Sequence, residues 1–324
     1  MLLSHPFAKA KSQWCQVYFT SPPLKKIKAN NPQVALIELI NKATKSFNGA
    51  FFEISSKSIA QALIKAKKRR VKIKLVIDQD YYHHRIIDKM KRDGIEVRCD
   101  FRENFMHNKF AIIDNQIVWT GSYNLTFNGA WRNNNNALKI TSTSLAKIYE
   151  KEFQEMFYDK IFGNKKEKGP FAELRKKNEV KTAGHLLKVF FSPEDNIEDI
   201  IIQEIAFAQK NIHFMLFSFT SSKIGEALID KFNEGIKIYG LLEKRGSQTK
   251  YSQYIKMKIE GLPIKLDKNK GNMHHKVMII DNKKVITGSF NFSKNANLKN
   301  DENIIILEDS KIARLYLKEF HKSY

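Results

Sequence analysis

His107 and Lys109 stand two residues apart in this chain, with Asp114 five positions further on and Gly121-Ser122-Tyr123-Asn124 close behind. The same set recurs downstream as His274, Lys276, Asp281 and Gly288-Ser289-Phe290-Asn291. Side chains two apart on a β-strand point to the same side. His107 and Lys109 are therefore expected to project together, as are His274 and Lys276. Ser122 and Asn124 repeat that relation past a turn, so two adjacent segments can present imidazole, ammonium, hydroxyl and amide on one surface. Ammonium and amide donors suit the oxygens of a phosphate. A neutral imidazole suits nucleophilic attack on phosphorus. With two copies, one imidazole can attack while the other, protonated, passes a proton to the leaving oxygen.

Each fragment alone is weak. A single histidine on a strand is usually structural, HxK is a loose pattern, and Gly-Ser-x-Asn is an ordinary turn. Their recurrence in one order at one spacing is what carries weight. Residues 106–140 and 273–307 align without a gap at an offset of 167 positions, with 15 of 35 positions identical. Upstream, Phe19-Thr20-Ser21-Pro22 faces Phe190-Phe191-Ser192-Pro193, and residues 71–78 face 236–243. The chain is thus an internal repeat.

The elements that must position these groups alternate between strand and helix. In the first half, strands are expected over 16–20, 47–54 and 71–77. Asn31-Pro32 is a helix start signal, and apolar Val34, Leu36, Ile37 and Ile40 follow at helical spacing. A second helix is expected over 58–67. Two strands, 109–113 and 117–120, flank a turn at Asp114-Asn115, and a helix over 144–157 closes the half. The second half repeats the plan and ends in a helix over 310–320. This is an α/β pattern. We divide it into a first repeat over 1–160, a charged linker over 161–185 and a second repeat over 186–324.

HxKxxxxD followed by Gly-Ser-x-Asn, present twice, resembles the signature of the phospholipase D superfamily, and the resemblance covers nearly the whole chain. It implies two α/β repeats packed as a pseudo-twofold dimer with one shared active site. It implies a covalent phosphohistidine hydrolysed by water, no cofactor and no metal requirement. The residues it marks are His107, Lys109, Asn124, His274, Lys276 and Asn291. Family members often place an acidic residue downstream of Gly-Ser-x-Asn, where it orients a histidine. The second copy matches at Glu302, 28 residues after His274, whereas the first has Asn135, 28 residues after His107. In the family the orienting residue tends to reach across to the other repeat. That arrangement implies Glu302 beside His107 as nucleophile and Asn135 beside His274 as general acid. If each served its own repeat, the roles would swap. Ser122 and Ser289 support the site. Asp114 and Asp281, at strand-to-turn junctions, read as structural caps of backbone amides.

Other side chains carry less. Tyr81-Tyr82-His83-His84 reads as a helix start with surface aromatics, or as the lining of a substrate groove. Trp131 fits a core or interface position as well as a base-stacking one. His275 should point away from His274. His5, His185, His213 and His321 have no partner pattern.

Bulk properties narrow the substrate. Lys and Arg number 56 against 34 Asp and Glu, a net charge of +22 with pI near 9.7. Such an excess points to a polyanion, with nucleic acid first and an anionic membrane second. The lysine clusters Lys25-Lys26, 67–70 and Lys165-Lys166 could also simply solvate helix faces. Cys15 and Cys99 lack metal-ligand spacing and are expected reduced. No apolar run is long enough to span a membrane, and residues 1–11 lack the apolar core of a signal peptide, so a cytoplasmic protein is expected. The leading expectation is an endonuclease acting on DNA or RNA, with a protein partner as a possible source of specificity and one chain sufficient for one site. A phospholipase D or cardiolipin synthase-type enzyme and an inactive nucleic-acid-binding member are the alternatives.

Overall fold

The computed structural model describes residues 14–20, 22, 30–168 and 178–324. His5, Lys25-Lys26, residues 1–11, where no signal peptide was expected, and the middle of the expected linker lie outside the described residues.

Alternation of β-branched and aromatic residues with helical stripes produces two sheets of one topology. The first runs Cys15–Phe19, Asn136–Thr141, Ile117–Gly121, Lys109–Ile113, Ser46–Phe51, Lys72–Ile77, Glu96–Cys99. The second repeats that order from His185–Ser192 through Glu302–Glu308, Lys284–Gly288, Lys276–Ile280, Asn211–Leu216 and Lys237–Leu242 to Ile264–Leu266. It adds an edge strand, Glu179–Thr182, which pairs antiparallel with His185–Ser192. In each sheet the HxK strand is antiparallel to both of its neighbours, and parallel pairing begins beyond the strand at 46–51 or 211–216. The α/β expectation with two like repeats therefore holds.

Boundaries follow local chemistry. Asn31 caps the helix Pro32–Lys42 by accepting the Gln33 amide, with Pro32 at its first turn. Ser56 and Ser221 cap the equivalent helices Lys57–Lys68 and Ser222–Asn233. The closing helix Thr143–Gln154 passes into a π-turn, Glu155–Asp159, where a single helix was expected. Part of the stretch expected as a linker is regular structure, since Gly163–Lys168 is a 3-10 turn and Glu179–Thr182 is the added strand. The upstream alignment also shifts by one. Phe19 pairs with Asn136 and Phe191 with Asn303, so Thr20 corresponds to Ser192 rather than to Phe191.

Three cores result. One lies between the sheets and takes side chains from both repeats, among them Phe110, Ile112, Tyr149, Phe191, Val277 and Tyr316, all buried. The other two fill the outer faces, one per repeat, under the helices Pro32–Lys42 and Lys57–Lys68 or Ile197–Ala206 and Ser222–Asn233. The shared core fuses the repeats into one unit, and the sheet ends that meet across it hold the motif residues. Cys15 and Cys99 are buried and free.

The tight turns after the HxK strands are built by the motif aspartates. Asp114 and Asn115 both adopt positive φ, as do Asp281 and Asn282, a conformation Asp and Asn tolerate better than other L-residues. Asp114 accepts the amides of Thr44, Lys45 and Ser46 at 2.9, 2.7 and 2.9 Å, and Asp281 accepts those of Gln209, Lys210 and Asn211 at 3.0, 2.7 and 3.1 Å. Partial burial pushes the Asp114 carboxyl up, but these amides and the Thr44 hydroxyl more than offset it, leaving its pKa below the usual range. A carboxylate whose folded pKa is depressed stabilises the fold above its unfolded pKa, about 4, and loses that contribution as pH falls through the folded value. Asp114→Asn is therefore expected to lower stability by about 1 kcal/mol at pH 7, allowing for its solvent exposure. The gap to the parent should close in acid, once the pH has fallen below the folded value. Denaturant midpoints at pH 7 and in acid check this, and a gap that persists in acid would show that the charge is not what matters.

Candidate active site

His107 and His274 sit just before their strands rather than on them, because Lys109 and Lys276 are the first strand residues. What fixes each histidine is the opposite repeat. The His107 amide donates to the Asp301 carbonyl at 2.9 Å, and the Asp301 amide donates to the Phe105 carbonyl at 2.9 Å. The His274 amide donates to the Asn134 carbonyl at 3.0 Å, and the Asn134 amide donates to that of Asn272 at 2.8 Å. These are short parallel bridges, Met106 with Asp301 and Asn134 with Met273. From within each repeat, the carboxylates of Asp78 and Glu243 accept the amides of Met106 and Met273 at 2.9 and 2.6 Å.

The imidazoles are crossed in the same way. His107 Nδ1 lies 2.7 Å from Glu302 Oε2, and His274 Nδ1 lies 2.8 Å from Asn135 Oδ1. Asn135 Nδ2 donates to the Gly129 carbonyl at 2.9 Å, and its Oδ1 also accepts the Ser122 hydroxyl at 2.9 Å. Its oxygen therefore faces the ring, which puts the His274 proton on Nδ1 and leaves Nε2 toward the site. Glu302 Oε1 accepts the Asn300 amide at 3.2 Å. Ser122 and Ser289 serve the orienting shell and the backbone of the next strand: they accept the Asn136 and Asn303 amides at 3.1 and 3.0 Å.

Burial dominates the electrostatics. Both histidines, both lysines and Glu302 are almost fully removed from solvent. Burial, reinforced by the charges of Lys109 and Lys276, drives both imidazoles well below their ordinary pKa. Burial also pushes Glu302 up to about 8 against the pull of Lys109. When Glu302 is ionised, its Oε2 accepts the proton of Nδ1, and the Nε2 lone pair of His107 is then bare and can act as a nucleophile. The amide of Asn135 offers His274 no negative charge, so the two rings differ in basicity.

Lys109 Nζ donates to the His107 carbonyl at 2.7 Å and Lys276 Nζ to that of His274 at 3.0 Å. Each ammonium also stands over a ring, Lys109 5.3 Å from the Phe52 centroid and Lys276 4.9 Å from that of Phe217. Burial lowers Lys109 to about 7, and burial together with the Lys109 charge lowers Lys276 well below its ordinary value. The side-chain oxygens of Asn124 and Asn291 are buried without a hydrogen-bond partner. The structure therefore gathers the two HxK pairs and their crossed partners, and it places Asp114 and Asp281 at the far turns. His275 points away: its Nδ1 meets Asn136 Nδ2 at 3.1 Å, and burial lowers its pKa to about 3.

Some of the framework is not evident from motif residues. Asn136 and Asn303 form a polar seam through the shared core. Asn136 Oδ1 accepts the hydroxyls of Thr287 and Tyr316, while Asn303 accepts that of Thr120 and donates to Asn108 at 2.7 Å. Their identity at the repeat offset of 167 is the signal that marks them. Asp78 and Glu243 end matching strands, a second such signal. Trp131 packs half-buried against the first repeat's outer core.

Comparison with known proteins agrees with this architecture. A family model described as "Cardiolipin synthase, PLD-like domain" matches residues 36–157 and again 201–324. The chain belongs to the phospholipase D superfamily. A protein named phospholipase D from Rickettsia prowazekii is 36% identical over 130 residues, which is 40% of this chain and 63% of that protein. A mitochondrial cardiolipin hydrolase from Xenopus laevis is 34% identical over 124 residues, 38% of this chain and 59% of that protein. The crystal structure of phosphatidylserine synthase from Haemophilus influenzae superposes over 94% of this chain and 84% of its own with a TM-score of 0.70 at 14% identity, a likeness of fold. The two sequence relatives thus match 40% and 38% of this chain, and the synthase structure 94% of it.

A bound phosphate would return the two lysines to their charged form, because an anion favours the cation. Binding of inorganic phosphate or tungstate is therefore expected to take up protons above about pH 7, and affinity should fall as pH rises from 7 to 9. Calorimetry in two buffers of different ionisation heat measures the uptake. Identical heats in both buffers would mean that the lysines are already charged in the free protein.

Proposed function

We propose that this chain is a phosphodiesterase that cleaves nucleic acid through a phosphohistidine, without a metal ion. The observation that carries the chemistry is the crossed pairing of two unlike histidines, one backed by a carboxylate and one by an amide. His107 Nε2 attacks phosphorus, and the Glu302 carboxylate stabilises the imidazolium that forms. Lys109, Lys276, Asn124 and Asn291 bind the non-bridging oxygens, whose charge grows in the transition state. The anionic phosphate of the substrate favours the charged form of His274, which gives its Nε2 proton to the leaving oxygen and then, as a base, takes one from the water whose oxygen displaces His107 from phosphorus. Among the described residues no group of three or more His, Cys, Asp or Glu side chains is placed to hold a metal ion.

The substrate reading rests on charge. A net +22 favours a long polyanion, and phosphate contacts through Lys and Arg give binding that weakens as salt rises. A second reading, a phospholipase or cardiolipin hydrolase, is favoured by the names of the relatives. Among the described residues no helix is long and apolar enough to cross a membrane. We further propose repeats bounded near 160 and 186, action in the cytoplasm, and one chain per complete site.

A cleavage panel in EDTA tests the reading. Single-stranded DNA, duplex DNA, RNA and cardiolipin vesicles are offered to the parent and to His107→Ala. Cutting of a nucleic acid by the parent alone is the expected result, whereas lipid turnover without nucleic-acid cleavage would establish the second reading. Loss of all activity in EDTA would refute metal independence.

The two single variants separate the roles. Because one site is shared, His107→Ala and His274→Ala should each abolish turnover, and two independent sites would instead leave about half the rate in each. His274→Ala is expected to retain slow adduct formation with a good leaving group, while His107→Ala forms none. An adduct mapped to His274 would reverse the assignment.

A further inference from the structure

The two sides of the shared site are unlike. On the His107 side, Phe52 lies edge-on at 4.9 Å from the imidazole, with Tyr81 at 5.0 Å and Phe105 at 5.2 Å from Phe52. Tyr82 and Phe101 form a separate pair 5.9 Å apart. On the His274 side Phe217 stands 4.9 Å from the ring. The repeat offset puts Asn272 where Phe105 would be and Lys268 where Phe101 would be.

Phe105 is 40% exposed and Phe101 76%. Large apolar rings facing water at the entrance of a polar site call for a reason. Their loop is firmly tied. Arg102 pairs with Asp100 and Asp301 and donates to the Lys299 carbonyl at 3.1 Å. Asp100 accepts the Gln79 amide at 2.9 Å, and Asp78 accepts that of Met106 at 2.9 Å. Phe101 is held at φ +50°, a costly conformation for a bulky side chain. The rings are thus preorganised.

Charge sorts the two sides further. Burial, and with it the charges of Glu53, Asp78 and Asp80, pushes the Tyr81 hydroxyl above its ordinary pKa, so negative charge already lies beside these rings. Across the site Arg245, Lys268 and Lys270 are exposed, and Arg245 donates to Asn272 at 2.9 Å. A substrate that fits carries an uncharged flat group on one side of the scissile phosphate and further negative charge on the other.

We infer that Phe105, backed by Phe52 and Tyr81, is a stacking platform for the nucleobase beside the scissile phosphate, and that Arg245, Lys268 and Lys270 take the phosphates on the opposite side. This rests on the nuclease reading above. A base reaches such a platform when it is not stacked in a duplex, so the favoured substrate is single-stranded. Since the platform belongs to one repeat, the strand lies in the site with one polarity.

The test uses short single-stranded oligonucleotides with a mapped cut site, in which the base on either side of the cut is removed in turn. With the parent, loss of the base on one side is expected to lower kcat/KM about tenfold or more, and loss on the other side to change it little. Phe105→Ala should lose the same factor on the intact oligonucleotide and nothing more on the abasic one, while Phe105→Trp restores the preference. Equal losses on intact and abasic substrates would mean that Phe105 merely shapes the loop, and no loss would mean that the ring is unused. Phe101→Ala and Phe105→Ala variants that cut oligonucleotides like the parent but lose turnover of cardiolipin vesicles would make the row a membrane contact. Each of these three results overturns the platform alone. Silence of the parent on every nucleic acid overturns the nuclease reading and the platform with it.

Discussion

Each histidine of this protein is held by the half of the chain that does not contain it. The backbone bridges at Met106–Asp301 and Asn134–Met273 and the side-chain pairs His107–Glu302 and His274–Asn135 are reciprocal. Reciprocity is the mark of a twofold interface, in which the same patch on each partner meets its copy. Here the patch is also the site, so the fold cannot vary the packing of its halves without moving the reacting groups. The shared core behind the bridges holds that packing, with Tyr149 edge to face against Phe191 and Tyr316 edge to face against Phe19.

Inside that frame the protein buries two ammonium groups, two imidazoles and a carboxylate. Unpaired charges in such a place are strongly disfavoured, which is why the side chains shift toward neutral forms. The unfavourable burial is tolerable because every group has a fixed partner and because a phosphate anion would complete the set. The two ammonium groups are held in place beforehand, each donating to the carbonyl of the histidine two residues before it. At the crossed bridges the departure from symmetry lies at two positions. Asn134 and Asn135 in one half are replaced by Asp301 and Glu302 in the other, and that replacement separates the two imidazoles chemically.

Much of this could be read from the sequence, for physical reasons. The repeat at offset 167 and the period-two and helical patterns dictated two α/β halves, because strand and helix burial leave those traces. The capping roles of Asp114 and Asp281 followed from an aspartate at a strand-to-turn junction. The crossing of Glu302 and Asn135 came with the family resemblance, since nothing local tells a residue which repeat it will face. What stayed hidden depends on geometry between distant segments. Asn136 and Asn303 look like loop amides until the strands place them in the seam, and the short strand Glu179–Thr182 lies in a stretch whose charge reads as a linker. His107 was expected on a strand and lies just outside it, because the bridge to Asp301 takes over from the ladder there. The aromatic row is scattered over Phe52, Tyr81 and Phe105, so no spacing rule gathers it.

Covalent fusion of the two halves has a consequence for how the site is maintained. Two halves on separate chains would meet at a rate and occupancy set by their amount. Joined in one chain, each meets its partner at an effective concentration fixed by the connection and independent of dilution. The fusion also frees the halves from being copies. In a pair of identical subunits, a carboxylate at the Glu302 position would appear twice and both histidines would be equally basic. A single polypeptide can write a different residue in each half, so that which histidine faces a carboxylate and which an amide is encoded by heredity.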